Sequence, residues 1–169
     1  MLQLFFHLAE LDFNALMEVY GESNGENAAE RGISVYAQER NFEEYLREDF
    51  FTVPEAVYAV WAEDGIYRAA LRLEPYMDGL LLEALETRPD SRRQGYARAL
   101  IQAVQARLSG GKYPRLYSHI GKRNTASLAV HRACGFQMIQ DSARYVDGTV
   151  NTRAVTMCVS LRADKTEPL

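Results

Sequence analysis

A chain of 169 residues, 47% hydrophobic and 25% charged, has the length of one domain and enough apolar side chains to bury a core. Nineteen Lys plus Arg against 23 Asp plus Glu leave a net charge of −4, which argues against a protein built to hold nucleic acid by neutralising phosphates. The longest apolar run, Ala56–Ala62, is far short of a membrane span, and no Lys or Arg precedes the apolar stretch of Met1-Leu2-Gln3-Leu4-Phe5-Phe6-His7, so it does not read as a secretory signal.

Taken in chain order, Leu2–Leu8 predicts an opening strand, and Asp12 an N-cap for a helix through about Tyr20. Gly21 to Gly32, rich in Gly, Asn and Glu, reads as a loop, and Phe42–Phe51 as a second helix. Val57–Ala62 and Ile66–Leu73 read as a hairpin around Glu63-Asp64-Gly65. Pro75 to Gly79 turns the chain into a strand over Leu80–Thr87. Arg92–Leu108 is the longest helical pattern, with Ala97, Leu100, Ile101, Val104 and Leu108 as its core stripe and Ser109-Gly110-Gly111 as its stop. Arg115–His119 predicts a short strand, Asn124 caps a helix ending at Gly135, and Gln137–Tyr145 pairs with Arg153–Leu161 around Asp147-Gly148. The order β, α, α, β, β, β, α, β, α, β, β describes a single α/β (α+β) domain over residues 1–169, a mixed and mostly antiparallel sheet flanked by about four helices. Asp164–Leu169 reads as a loose tail.

The chemistry concentrates in two stretches. After Thr87 the chain turns through Arg88-Pro89-Asp90-Ser91 and enters a helix across Arg92-Arg93-Gln94-Gly95-Tyr96-Ala97. The first amides of a helix lack intrahelical partners and carry the positive end of its dipole, so such a turn can cradle a diphosphate. Gly95 and Ala97 allow close approach, and Arg92 and Arg93 add charge. The spacing is neither the dinucleotide fingerprint nor the Gly-Lys-Ser/Thr loop of nucleoside triphosphates. In the second stretch, Asn124, Ser127, Leu128 and His131 share one helix side and Ala126, Val130, Ala133 and Cys134 the other, which reads as core. A polar stripe of this kind faces solvent or a ligand.

Together these residues resemble the GNAT superfamily of acetyl-CoA-dependent N-acetyltransferases. Leu85-Glu86-Thr87-Arg88-Pro89 followed by Arg92-Arg93-Gln94-Gly95-Tyr96-Ala97 is similar to its pyrophosphate motif, and Asn124 to Phe136, ending in Gly135-Phe136, to its later motif. The resemblance implies that acetyl-CoA lies where the strand Leu80–Thr87 splays from Arg115–His119. Leu85 and Thr87 would then offer backbone groups to the pantetheine arm, and an N–H near Leu85 would polarise the thioester carbonyl. Gln94, Gly95, Tyr96 and Ala97 would hold the diphosphate with Arg92 and Arg93, while Asn124, Ser127 and His131 would line the far side of the arm.

The implied reaction is direct acetyl transfer to an amine, which must first lose a proton. Glu86 and Glu83 are the candidate bases; their odd spacing puts them on opposite strand faces unless a bulge intervenes. The family often places an acid Tyr where this chain has His131, and an imidazole can donate a proton in its place. The departing thiolate, of pKa about 8.5, can also leave unaided. Tyr145 is an alternative acid. Cys134 and Cys158 have no basic neighbour in sequence and match no metal-ligand spacing, so neither a metal nor an acetyl-cysteine step is expected.

Nine acidic residues against three arginines lie between Glu18 and Asp49. This is either a solvated helix face or a negative wall that attracts a cationic amine or a peptide amine. The expected partners are thus a small-molecule or peptide amine acceptor, with no nucleic acid and no membrane, and an edge strand of the last hairpin could pair across a homodimer. Two other functions share the cradle: a non-catalytic CoA-binding module that lacks the acid Tyr, and a nucleotide-binding domain.

Overall fold

A computed structural model describes residues 1–162; the tail expected over Asp164–Leu169 lies outside the described residues. Seven strands form one sheet in the order β1-β2-β3-β4-β5-β9-β6. They are β1 (Leu2–Phe5), β2 (Val57–Glu63), β3 (Ile66–Tyr76), β4 (Gly79–Thr87), β5 (Arg115–Gly121), β6 (Gln137–Gln140) and β9 (Ala154–Ser160). Every pairing is antiparallel except β4 with β5. A small ribbon, β7 (Ala143–Arg144) with β8 (Val150–Asn151), interrupts the last hairpin.

The helices cover both faces. On one side α1 (Phe13–Val19), α2 (Gly21–Arg31) and α3 (Val35–Glu48) enclose a core built on Leu16, Val19, Leu46, Phe50, Tyr58, Val60 and Ala70. On the other, α4 (Tyr96–Leu108) and α5 (Thr125–Ala133) pack over Ala59, Leu71, Leu73, Leu82, Leu100, Ile101 and Leu116. Strand alternation divides the two cores: Tyr58 and Val60 of β2 belong to the first, Val57 and Ala59 to the second.

The predicted caps are present. Asp12 Oδ1 accepts from the Ala15 amide at 3.0 Å and Asn124 Oδ1 from the Ser127 amide at 3.0 Å. The segment Gly21–Gly32, expected as a loop, is instead a helix. Its two early glycines lower helix propensity, but Ala28 and Asn24 are buried against neighbouring elements, Asn24 Nδ2 meets Met17 Sδ at 3.3 Å, and Gly32 at φ +65 ends it. Burial of one face outweighs local preference. The helix expected from Phe42 begins at Val35, with the Ser34 hydroxyl accepting from Ala37 N at 3.1 Å. The turn expected over Pro75–Gly79 is tighter: β3 runs through Pro75, and Tyr76 pairs with Gly79.

Gly79 lies where β4 begins beside β5, and a Cβ there would collide with the Arg115 carbonyl and crowd the Tyr117 ring. Gly79→Ala should lower unfolding free energy by about 1–3 kcal/mol, read as an earlier urea midpoint with the folded-state spectrum unchanged.

Candidate active site

Strand β4 pairs with β5 only over Leu80–Leu82 with Leu116–Ser118. Beyond that point both strands continue, β4 to Thr87 and β5 to Gly121, with no pairing between them. The buried Ser118 hydroxyl donates to the Leu82 carbonyl at 3.1 Å, at the point where the ladder ends. The strands part there as the motif resemblance implied.

A bulge sits just past this fork. On β3, Arg72 faces Glu83 and Ala70 faces Glu86, so β4 carries one extra residue in this interval. Ala84 takes it up with φ +49, in the left-handed region. The extra residue reverses the side-chain phase. Glu83 and Glu86, opposite in an ideal strand, now both face the α1–α3 layer, while Leu85 packs on the α4 side. Glu83 lies 3.7 Å from the Arg72 guanidinium, which itself sits over the Tyr45 and Phe50 rings. Glu86 is half-buried, and burial raises its carboxyl above the ordinary 4.5. Ser23 and Arg92 oppose that shift; the Glu22 and Glu26 charges on α2 reinforce it.

The cradle differs in one respect from a plain helix start. Arg92–Gly95 is not helical: Arg93 has φ +59 and Gly95 φ +86, and α4 begins only at Tyr96. Two left-handed residues so close together bend the backbone sharply ahead of the helix, a shape in which successive N–H groups can form an anion-binding nest. Gly95 caps α4 without a side-chain bond, so the helix's first amides are not spent on a cap. A Cβ on Gly95 would meet nothing within 4 Å, so the space above the turn is open. Its glycine answers to the positive φ. Donors, open space and flanking arginines together fit a diphosphate.

A groove of about 490 Å³ joins fork and cradle. It brings together Leu85, Glu86 and Thr87 from β4, Arg92, Arg93 and Ala97 from the cradle, and Asn124 and Ser127 from α5. Ala126 and Val130 also line it; the sequence pattern assigned both to the core, and Val130 does pack against it while Ala126 is exposed. Glu83, Gln94, Gly95 and Tyr96 do not line the groove with side chains. Gln94 reaches back to the Asp90 carbonyl at 3.2 Å, and the Tyr96 hydroxyl donates to Glu63 at 2.5 Å. A second cavity of about 550 Å³, more apolar, lies at the far end of α4 beside Arg107 and Leu108 and contains none of these residues.

His131 departs from the expectation most clearly. It is 1% exposed and lies outside the groove lining. Its Nδ1 donates to the Ser127 carbonyl at 2.8 Å, its ring meets Phe136 edge-on at 5.0 Å, and Nε2 is buried without a partner among the described residues. Burial lowers its pKa below 6.5 and keeps it neutral near pH 7. Tyr145 lies apart as well, its ring against His119 at 5.4 Å and its hydroxyl accepting from Asn151 at 3.2 Å. Among the described residues no group of three His, Cys, Asp or Glu could hold a metal, and no helix is long and apolar enough to cross a membrane.

The fork, the open start of α4 and the bulged strand between them form one continuous feature of the fold. Residues 14–136 match the Acetyltransferase (GNAT) family, and the chain belongs to that family. Over 84 residues it is 33% identical to phosphinothricin N-acetyltransferase of Alcaligenes faecalis, covering 49% of this chain but only 33% of that enzyme. The ribosomal-protein-S18-alanine N-acetyltransferase of Escherichia coli shares the fold at TM-score 0.63 and 17% identity, over 100% of this chain and 99% of that one. The PaiA N-acetyltransferase of Thermoplasma acidophilum, solved in complex with coenzyme A, does so at 0.66 and 12%, over 95% and 99%.

Because the folded pKa of His131 lies below its unfolded value, the unfolded chain binds more protons as pH falls through 6.5. Stability contributed by the neutral ring is present above that pH and is lost below it, at no more than about 1.4 kcal/mol per pH unit. Urea unfolding at pH 7.5 and 5.5 should show this loss in the native chain and a smaller one in His131→Phe; His119, also lowered by burial, contributes to what remains.

Proposed function

We propose that the protein is an acetyl-CoA-dependent N-acetyltransferase that moves acetyl directly from the CoA sulfur to a primary amine, with a small cationic amine or a peptide amine as acceptor. The observation that carries this reading is the β4–β5 fork opening onto the uncapped start of α4. Acetyl-CoA supplies the activated acyl group. The amides of Gln94, Gly95, Tyr96 and Ala97, with Arg92 and Arg93, would hold its diphosphate; Leu85 and Thr87 would align the pantetheine arm, and Asn124 and Ser127 would close the other side.

Overall, R–NH₃⁺ and the thioester give the amide, free thiol and one released proton. Glu86 is the better-placed base. It borders the groove, and its pKa, raised by burial, strengthens it as a proton acceptor. Glu83 is tied to Arg72, which weakens its claim. A buried, neutral His131 outside the groove serves the packing of α5, and the thiolate leaves without it. The Glu22 and Glu26 charges on α2 act on Glu86 from the helix layer, which supports a cationic acceptor. The edge strand β6, with Met138 and Ile139 each 57% exposed, offers a surface for a homodimer, and the two free cysteines suit the cytoplasm.

Calorimetry should show acetyl-CoA binding well above ADP, and Gly95→Trp should abolish it in a folded protein; equal affinity in the variant would overturn the cradle. Release of CoA thiol with polyamines and other cations then separates an enzyme from a binding module. Turnover should fall as pH drops through the raised pKa of Glu86, since the protonated carboxyl cannot accept. Glu86→Gln should cut kcat by about 10²-fold or more with acetyl-CoA affinity kept. Unaltered kcat removes Glu86 as the base.

A further inference from the structure

The bulge at Ala84 is supported from the side away from the groove. Tyr20, which follows α1, donates its hydroxyl to the Ala84 carbonyl at 2.6 Å. The Tyr58 hydroxyl, from β2, lies 2.8 Å from that of Tyr20. A phenol has one proton and a carbonyl oxygen has none, so the Tyr20 proton is committed to Ala84 and Tyr58 must donate to Tyr20. Both side chains are buried, 5% and 0% exposed, and meet edge-on at 6.5 Å. Burial raises both pKa values, so both remain neutral donors.

The Ala84 carbonyl and the Leu85 N–H belong to one trans peptide group and point in opposite directions. Whatever fixes the carbonyl therefore aims the amide. The strand ladder does not fix it, because neither Ala84 nor Leu85 has a partner on β3 and pairing with β5 has ended at Leu82. A hydrogen bond accepted by the carbonyl also polarises the N–H at the other end of the same group.

We propose that Tyr20 and Tyr58 are positioning residues for acyl transfer: a two-phenol relay that holds and polarises the Ala84–Leu85 peptide so that the Leu85 N–H meets the thioester carbonyl. Neither tyrosine lines the groove, so both act through the backbone. The inference rests on the proposed acetyl transfer at Leu85, and the experiment separates the two.

Acetyl-CoA labelled with carbon-13 at the thioester carbonyl is bound to the native protein, to Tyr20→Phe and to Tyr58→Phe, and the carbonyl stretch is read by isotope-edited infrared spectroscopy. The native complex should show the band below its position in free acetyl-CoA. Tyr20→Phe should return much of that shift and lower kcat by about tenfold, with the calorimetric Kd for acetyl-CoA unchanged; Tyr58→Phe should do the same to a smaller degree. An unshifted band in the native complex, or no binding, overturns the assignment of Leu85 and the relay with it. A shifted native band that a folded Tyr20→Phe keeps in full overturns the relay alone, as does a loss confined to KM. Should Tyr20→Phe fail to fold, Tyr58→Phe decides by the same criteria.

Discussion

One extra residue in β4 governs the site. Without it, β4 would stay in phase with β3, Glu83 and Glu86 would face opposite layers, and the Ala84–Leu85 peptide would be taken up in the ladder. With it, the strand turns at the place where its pairing with β5 ends, both carboxylates face the α1–α3 layer, and a backbone amide is left to act on something other than the sheet. A left-handed alanine costs about 1–2 kcal/mol. The buried bond from Tyr20 returns about 1 kcal/mol of that, so the helix layer stabilises a backbone shape that β4 would not hold alone.

The groove has a second asymmetry, in how its two helices begin. At α5 the Asn124 side chain takes up the Ser127 amide, which satisfies one orphan donor and fixes the start of a short helix. At α4 the N-cap is Gly95, and no side chain does the same. The longer helix, anchored by Leu100, Ile101 and Val104 at 0–1% exposure, is stable enough to leave its first turn open. Donors that a side chain would have quenched remain for an anion. The Arg88–Asp90–Ser91 bonds stiffen the turn leading to them, at 3.1 Å from Arg88 to Asp90 and 2.8 Å from Ser91 to Asp90.

Much of this was legible from the residues. Side-chain caps at Asp12 and Asn124 depend on local chemistry and read directly from sequence, as do the stripe of α4 and the two motifs that flank the fork. What escaped depends on distant contacts. Gly21–Arg31 folds as a helix because Ala28 and Asn24 find burial that local composition does not announce. The bulge is set by pairing between β3 and β4, and a Glu-Ala-Leu-Glu string carries no mark of it. The same holds for Val130 and His131: helical spacing gives the angle between them, but which of the two faces the groove is decided by how α5 lies on the sheet, with His131 turned toward Phe136.

Charge is sorted along the groove rather than balanced within it. Arg88, Arg92 and Arg93 fall within six positions of a chain whose net charge is −4; Arg92 and Arg93 line the groove at the cradle, while Glu22, Glu26 and Glu86 stand toward the α1–α3 layer. Two ion pairs, Arg88 with Glu18 and Arg92 with Glu22, cross the boundary and tie α1 and α2 to the cradle turn. These pairs are half-exposed and contribute little stability. Their consequence is positional: a molecule entering from the cradle meets positive charge and one entering from the helix layer meets negative charge. Glu86 lies between, bordering the groove while sensing both Arg92 and Glu22. Anionic and cationic groups would therefore be drawn to different sides of one cleft, with the half-buried Glu86 carboxylate between them.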